Sequence, residues 1–132
     1  MTKNHFSQIL FVALFIPGCS QSTAPPLGTV SGLVKLDGKP LEKATIMFQP
    51  ESGRPSRGET DRSGRYQLNY TRESRGALPG LHTVNIRTRL EDDSGNIVVE
   101  EFLPARYHEK TELSASVDAG KNVIDFNLTS DK

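Results

Sequence analysis

The chain has no tryptophan, a single cysteine and no net charge, and each scarcity removes a class of explanation. One thiol cannot close an internal disulfide, so the fold has to stand on its apolar core, and the informative property of Cys19 is its position. Basic and acidic residues number 16 each, which leaves no long-range field to gather nucleic acid, and no nucleic-acid partner is expected. Long apolar runs are also missing: the uninterrupted stretch Ile9 to Ile16 is about half of what a bilayer-spanning helix requires.

The chemistry-bearing residues are sparse. Three histidines, His5, His82 and His108, are scattered along the chain. His108-Glu109-Lys110-Thr111-Glu112 comes nearest to a zinc motif, but Glu112 replaces its second histidine, and at the expected start of a strand a spacing of four does not gather side chains on one face. Asp92-Asp93-Ser94-Gly95-Asn96 has the oxygens calcium favours without the alternating acids and distal glutamate of an EF-hand loop, and reads as a solvated turn. No serine stands in G-x-S-x-G. No metal, cofactor or catalytic residue is expected.

What is plentiful is turn chemistry. Eleven glycines and eight prolines in 132 residues, with 35% hydrophobic content, suit one domain of many short strands. In Gly28 to Leu36, Val30, Gly32, Val34 and Leu36 alternate with Thr29, Ser31, Leu33 and Lys35, the period of a half-buried strand. Asp37-Gly38-Lys39-Pro40 supplies a tight turn, and Ala44, Ile46, Phe48 and Pro50 form a second inward row. The expectation is a hairpin from Gly28 to Pro50 whose two strands lie side by side.

Further strands are expected at Arg57 to Thr60 on an edge, along Tyr66, Leu68 and Tyr70, and at Gly80 to Leu90, the longest. Ile97 to Phe102 returns as a short hairpin strand after the Asp92 turn. Leu113 to Val117 and Ile124 to Leu128 make a closing hairpin. Seven or eight strands at roughly 8 to 15 residue spacing predict an all-β, antiparallel sandwich. Its expected core is Val30, Val34, Leu36, Ile46, Phe48, Tyr66, Leu68, Val84, Ile86, Leu113, Val117, Ile124, Phe126 and Leu128.

At the amino end, Lys3 precedes the apolar stretch, which reads as an export signal. Ile16-Pro17-Gly18-Cys19 follows directly and resembles the lipobox of bacterial lipoproteins, in which the cysteine is acylated. The resemblance implies a signal peptide over 1–18, palmitate and related acyl chains on Cys19, and attachment to the cell-envelope membrane. Ser20 after the cysteine implies sorting to the outer membrane, facing the periplasm or the cell surface. Ser20 to Pro26 is a polar, proline-ended tether, so 19–27 is read as lipidated cysteine plus linker, reaching roughly 23 to 25 Å beyond the cysteine when extended.

The run GTVSGLVKLDGKPLEKATIMFQP followed by GETDRSGRYQL resembles the carboxypeptidase regulatory-like domain, of the transthyretin-like (prealbumin-like) β-sandwich group. Pro79-Gly80-Leu81-His82-Thr83-Val84 matches that family's step before its next strand. LPARYHEKTELSASVDAGKNVIDFNL resembles the end of small bacterial lipoproteins built on the same domain. The resemblance covers Gly28 to Leu128, and the domain is placed at 28–130. In carboxypeptidases this β domain accompanies a separate catalytic domain, so the resemblance implies a module without catalysis.

Arg65, Arg87 and Arg89 face outward on expected strands, with Arg54, Arg57, Arg62, Arg72 and Arg75 on nearby loops. If the strands are neighbours, they form a cationic stripe suited to an anionic envelope protein or polysaccharide. The expected function is a lipid-anchored envelope protein with a structural or protein- or glycan-binding module. A carrier of a small ligand or sugar, alone or in an oligomer groove, is the alternative.

Overall fold

The computed structural model describes residues 26–131. The expected signal over 1–18, Cys19 and most of the tether lie outside the described residues. In chain order the strands are β1 (Gly28–Leu36), β2 (Lys39–Pro40), β3 (Thr45–Pro50), β4 (Ser56–Glu59), β5 (Arg65–Gln67), β6 (Gly80–Arg87), β7 (Leu90–Glu91), β8 (Ile97–Val99), β9 (Ser114–Val117), β10 (Gly120–Val123) and β11 (Phe126–Leu128). One 3-10 turn, Ala105–Tyr107, lies between β8 and β9. One sheet gathers β2, β5, β10 and β11 around β1; a second runs β4-β3-β6-β9; β7 and β8 form a separate hairpin.

β1 is bonded along both edges, because successive peptide groups of a strand point to opposite sides. The Ser31 carbonyl accepts from the Ile124 N–H at 2.8 Å, and the Asp37 N–H donates to the Leu128 carbonyl at 2.9 Å, on the β10 and β11 side. On the other edge Val30 accepts from the Leu68 N–H at 2.9 Å, and Val34 donates to Gly64 at 2.8 Å. β10 and β11 run parallel to β1, with Gly28 opposite Gly120 and Val34 opposite Phe126. The all-β architecture follows the sequence expectation, whereas an entirely antiparallel arrangement does not hold.

The expected hairpin is corrected in the same way. Asp37 and Gly38 take φ values of 51° and 81°, the doubly left-handed pair of a tight two-residue turn, so the chain does reverse. Its return arm is only β2, pairing Leu36 with Lys39 and Lys35 with Pro40. Pro40 has no N–H to prolong that ladder, and Leu41 closes it by donating to the Val34 carbonyl at 3.0 Å. Lys43 then turns at φ 57°, and the Ala44 N–H is taken by Thr60 Oγ1 at 2.9 Å. β3 therefore belongs to the second sheet, between β4 and β6.

The closing hairpin is also absent. β9 pairs with β6, and the chain crosses to the first sheet before β10. Asn122 secures the crossing: its side-chain oxygen accepts from the Asp118 N–H at 3.0 Å, and its amide donates to Asp118 and Thr29 carbonyls at 2.8 and 3.0 Å. β4 is the edge strand expected at Arg57, but β1, with nine residues, exceeds β6, with eight, as the longest strand.

The core lies between the two sheets. Phe48 of β3 meets Phe126 of β11 edge-on, with ring centroids 6.2 Å apart, and Tyr66 of β5 packs on Phe126 at 6.3 Å. Of the expected core, Leu36, Leu113 and Ile124 are half-buried and pack against it, and the others are buried. Leu41, Ala77, Leu103 and Tyr107 join them without having been expected, and Ala44, expected on the second inward row, is buried as well. Every buried apolar side chain among the described residues lies from Val30 to Leu128, so this segment contains its own core.

Gly32 breaks the inward row of β1 because another chain segment occupies that space. A Cβ at Gly32 would stand 1.9 Å from the Ile124 carbonyl oxygen and 2.9 Å from the Tyr66 ring. The Tyr66 hydroxyl donates to that same carbonyl, and burial pushes its pKa upward, with Asp125 adding to the effect. Replacing Phe126 by Ala is expected to cost about 3 to 5 kcal/mol in denaturant unfolding. A change within about 0.5 kcal/mol, the size usual for surface positions, would place Phe126 outside the core.

Candidate functional site

The expected stripe of Arg65, Arg87 and Arg89 does not assemble. Arg65 lies on β5 of the first sheet, beside Glu59 and Asp61. Arg89 follows β6 and makes an ion pair with Glu91 at 2.7 Å, half exposed on both sides and so worth little. Arg87 stands on the outer face of the second sheet, where it shares a shallow concavity with Arg57, Thr45, Met47 and Asn85.

The arginines placed on loops are the ones brought together. The β3–β4 loop supplies Arg54, β4 supplies Arg57, and the loop after β5 supplies Asn69, Tyr70, Thr71 and Arg72; together they line an open groove of about 590 Å³. Two reciprocal backbone bonds between Arg57 and Asn69, at 3.0 and 2.8 Å, join the two sides. The Arg54 guanidinium lies over the Tyr70 ring, 6.0 Å from its centroid, at the outer reach of a cation–π contact. Among the described residues the one ion pair is Arg89 with Glu91, so Arg54, Arg57 and Arg72 have no carboxylate within 4.0 Å. Unpaired guanidiniums in a concavity offer forked donors to phosphate or carboxylate oxygens.

The loop carrying Arg72 is held tightly at its base. Tyr70 and Thr71 N–H groups donate to the Ser74 carbonyl at 2.8 and 3.1 Å, and the Gly76 N–H to Leu68 at 2.8 Å. Gly28 and Ala77 exchange two backbone bonds, at 3.0 and 2.9 Å, beside the start of β1. Gly76, at φ 111°, passes so close that a Cβ there would stand 2.2 Å from the Gly28 carbonyl oxygen and 3.4 Å from Leu27.

The other motifs have structural roles. Asp92 Oδ1 accepts from the Ser94 and Asn96 N–H groups, both at 2.9 Å, which closes the β7–β8 turn. His82 is buried, with Nε2 2.6 Å from the Leu78 carbonyl and its ring against Phe48, while Nδ1 has no partner. His108 places Nε2 3.0 Å from the Leu103 carbonyl and lies after the 3-10 turn, well before β9. No group of three or more potential metal-ligating side chains occurs among the described residues. Cys19 and its lipidation lie outside them.

Glu101 is the carboxylate most engaged with backbone. It accepts from the Thr88 N–H at 3.1 Å, the Thr88 hydroxyl at 2.6 Å, the Arg89 N–H at 3.3 Å and the Leu103 N–H at 3.2 Å. Burial raises its pKa, but the bonds from Thr88, Leu103 and Arg89 outweigh burial and leave it lowered. These bonds tie the base of the β7–β8 hairpin to the end of β6.

No family model matches the chain, and no curated protein matches it. Solved structures match it in part. One is a DUF3823 family protein from Parabacteroides merdae, 13% identical, with a TM-score of 0.44 over 80% of this chain and 47% of the other. Another is a 9R-lipoxygenase from Cyanothece, 18% identical, with a TM-score of 0.40 over 79% of this chain and 16% of the other. The chain spans less than half the length of either.

Because the folded pKa of Glu101 lies below its ordinary value of 4.5, its contribution to the hairpin is present above that pH and is lost as pH falls through the folded value. The protection of the Thr88, Arg89 and Leu103 amides, measured as exchange relative to the intrinsic rate at each pH, should fall on acidification. Glu101→Gln should show lower protection already at neutral pH, with little further dependence on acid. Protection in the parent chain that does not change with pH would remove Glu101 from this role.

Proposed function

We propose that this chain is a lipid-anchored cell-envelope protein, held through acyl chains on Cys19, whose sandwich is a non-catalytic structural or binding module of the transthyretin-like, carboxypeptidase regulatory-like type. The observation that carries the binding part is the groove of Arg54, Arg57 and Arg72, with no carboxylate partner among the described residues. It favours an anionic partner held at the surface. The described concavities are open, which supports surface recognition over an enclosed small-molecule carrier.

The anchoring part rests on Ile16-Pro17-Gly18-Cys19 and on the polar tether after it. Two or three acyl chains, at about 0.8 kcal/mol per buried methylene, make attachment effectively permanent. The family part rests on the order of the turn and strand motifs from Gly28 to Leu128, including Asp37-Gly38-Lys39-Pro40 and Asp61-Arg62-Ser63-Gly64-Arg65-Tyr66. In the second of these, Asp61 accepts from the Ser63 and Arg65 N–H groups at 2.8 and 3.0 Å.

Bacteria expressing the full chain should incorporate labelled palmitate into it, and Cys19→Ala should abolish the label. Release of the wild-type chain as a lipid-free soluble protein would overturn the anchored reading.

A further inference from the structure

The basic groove does not end at Arg57. That residue also lines the shallow concavity on the outer face of the second sheet, with Met47, Asn85 and Arg87. The registers place Arg57, Met47 and Asn85 in one row across β4, β3 and β6, and Thr45 with Arg87 in the next. All five side chains stand on the face that the pleat turns away from the core. Neighbouring strands are about 4.8 Å apart, so Arg57 and Asn85 lie about 10 Å apart, with Arg87 about 7 Å further along β6. Arg54, Arg72, Arg57 and Arg87 therefore follow one surface path across two joined concavities.

The path is polar and built on closed turns. Thr71 Oγ1 accepts from the Glu73 and Ser74 N–H groups at 3.2 and 3.0 Å, so Arg72 is carried on a loop that is already formed. Acids lie close by: Glu51 in the β3–β4 loop, Glu73 after Arg72, and Glu59, which opposes Thr45 from β4. None of them lines either concavity or comes within 4.0 Å of an arginine of the path. The exposed large apolar side chains, Leu81, Ile97, Val98, Phe102 and Val123, also stand outside both. A protein partner draws its affinity from apolar and aromatic anchors at the centre of an interface, and no exposed large apolar side chain is offered here. What is offered is guanidinium forks for carboxylates, the half-buried Tyr70 ring, and the Asn69 and Asn85 amides for hydroxyls.

We infer that the path from Arg54 and Arg72 through Arg57 to Arg87 binds a linear polysaccharide of sugar acids, with one sugar ring against Tyr70. The inference rests on the binding part of the proposed function and deepens it by naming the class of ligand. A small anion would fill one concavity, whereas arginines spread over two suit a chain that carries a carboxylate at intervals. Affinity then grows with the length of the chain, because each further carboxylate is delivered to the next arginine at high effective concentration.

The full chain in neutral detergent should bind polygalacturonate in titration calorimetry, oligomers more tightly than the single sugar acid. The methyl ester of the same polymer, which keeps the sugars and loses the charge, should bind far less. Arg72→Glu and Arg87→Glu stand at the two ends of the path and should each weaken binding about fivefold or more. Tyr70→Ala should weaken it about threefold, and Tyr70→Phe should retain it. Lys121→Glu makes the same change of charge on β10, along the other edge of β1 from β5, and should leave most of the affinity intact. The three charge variants should melt near the parent chain, since these side chains are exposed. Parent-like binding by Arg87→Glu or by Tyr70→Ala would overturn the inference, as would equal binding of the methyl ester. Polyglutamate bound as tightly as polygalacturonate would also overturn it while leaving an anion-binding groove in place. Binding of neither polymer would overturn that groove reading as well.

Discussion

Strand β1 has backbone donors and acceptors on both edges, and the first sheet is arranged around satisfying them in a buried setting where an unpaired group is costly. Antiparallel partners on one side come from nearby sequence, β2 and β5. The other side is taken by the end of the chain, β10 and β11, running parallel. Between those two strands lies the joint at Ile124 and Asp125. There the Ile124 N–H reaches Ser31, Asp125 Oδ1 accepts the Leu33 N–H at 2.8 Å, and the Tyr66 hydroxyl caps the Ile124 carbonyl. The ladder is interrupted without leaving these groups unpaired, and Gly32 is the space that makes the arrangement fit.

With β1 held on both sides, β3 is left to build the second sheet, and the connections between layers become the points that need fixing. Thr60 holds the crossing at Ala44, and Asn122 holds the one before β10. The carboxyl end is clasped as well: Asp37 accepts from the Ser130 N–H at 2.9 Å, and the Tyr107 hydroxyl accepts from Thr129 N–H at 2.9 Å. Arg106 lies over the Tyr107 ring at 4.8 Å and donates to the Thr129 carbonyl at 2.9 Å. The Pro104 to Tyr107 segment is thus a clasp on the last strand. The basic groove is built on loops fastened to this frame, so its arginines gather on a rigid base while their side chains stay exposed.

Much of the fold was legible where the signal is local. Alternation at period two separated inward from outward side chains along β1, β3, β5 and β6, because one face of each meets the core. Turns at Asp37-Gly38, Asp61 to Gly64 and Asp92 to Asn96 were legible because an aspartate accepting nearby N–H groups, or a left-handed pair, is specified within a few residues. Less visible were Leu41, Leu103 and Tyr107, which are buried from connections that have no period to read. His82 falls on the inward row with Val84 and Ile86, and that spacing was the signal for its burial. The arginine surface was misassigned for a related reason. Alternation says that Arg65 and Arg87 point outward, but not that they lie on different sheets, and loop residues such as Arg54 and Arg72 carry no periodic signal at all.

The sequence by itself determined an all-β chain, most of its core positions and the chemistry of its tight turns, since all three depend on side-chain properties within a few residues. Only the tertiary structure decided which strands pair, that the last two run parallel to the first, and that Arg54, Arg57 and Arg72 share one groove. The parallel pairing depends on satisfying backbone groups between segments about ninety residues apart, such as Gly28 and Gly120, and the groove on the backbone bonds between Arg57 and Asn69; neither pairing is encoded by the alternation within a single strand.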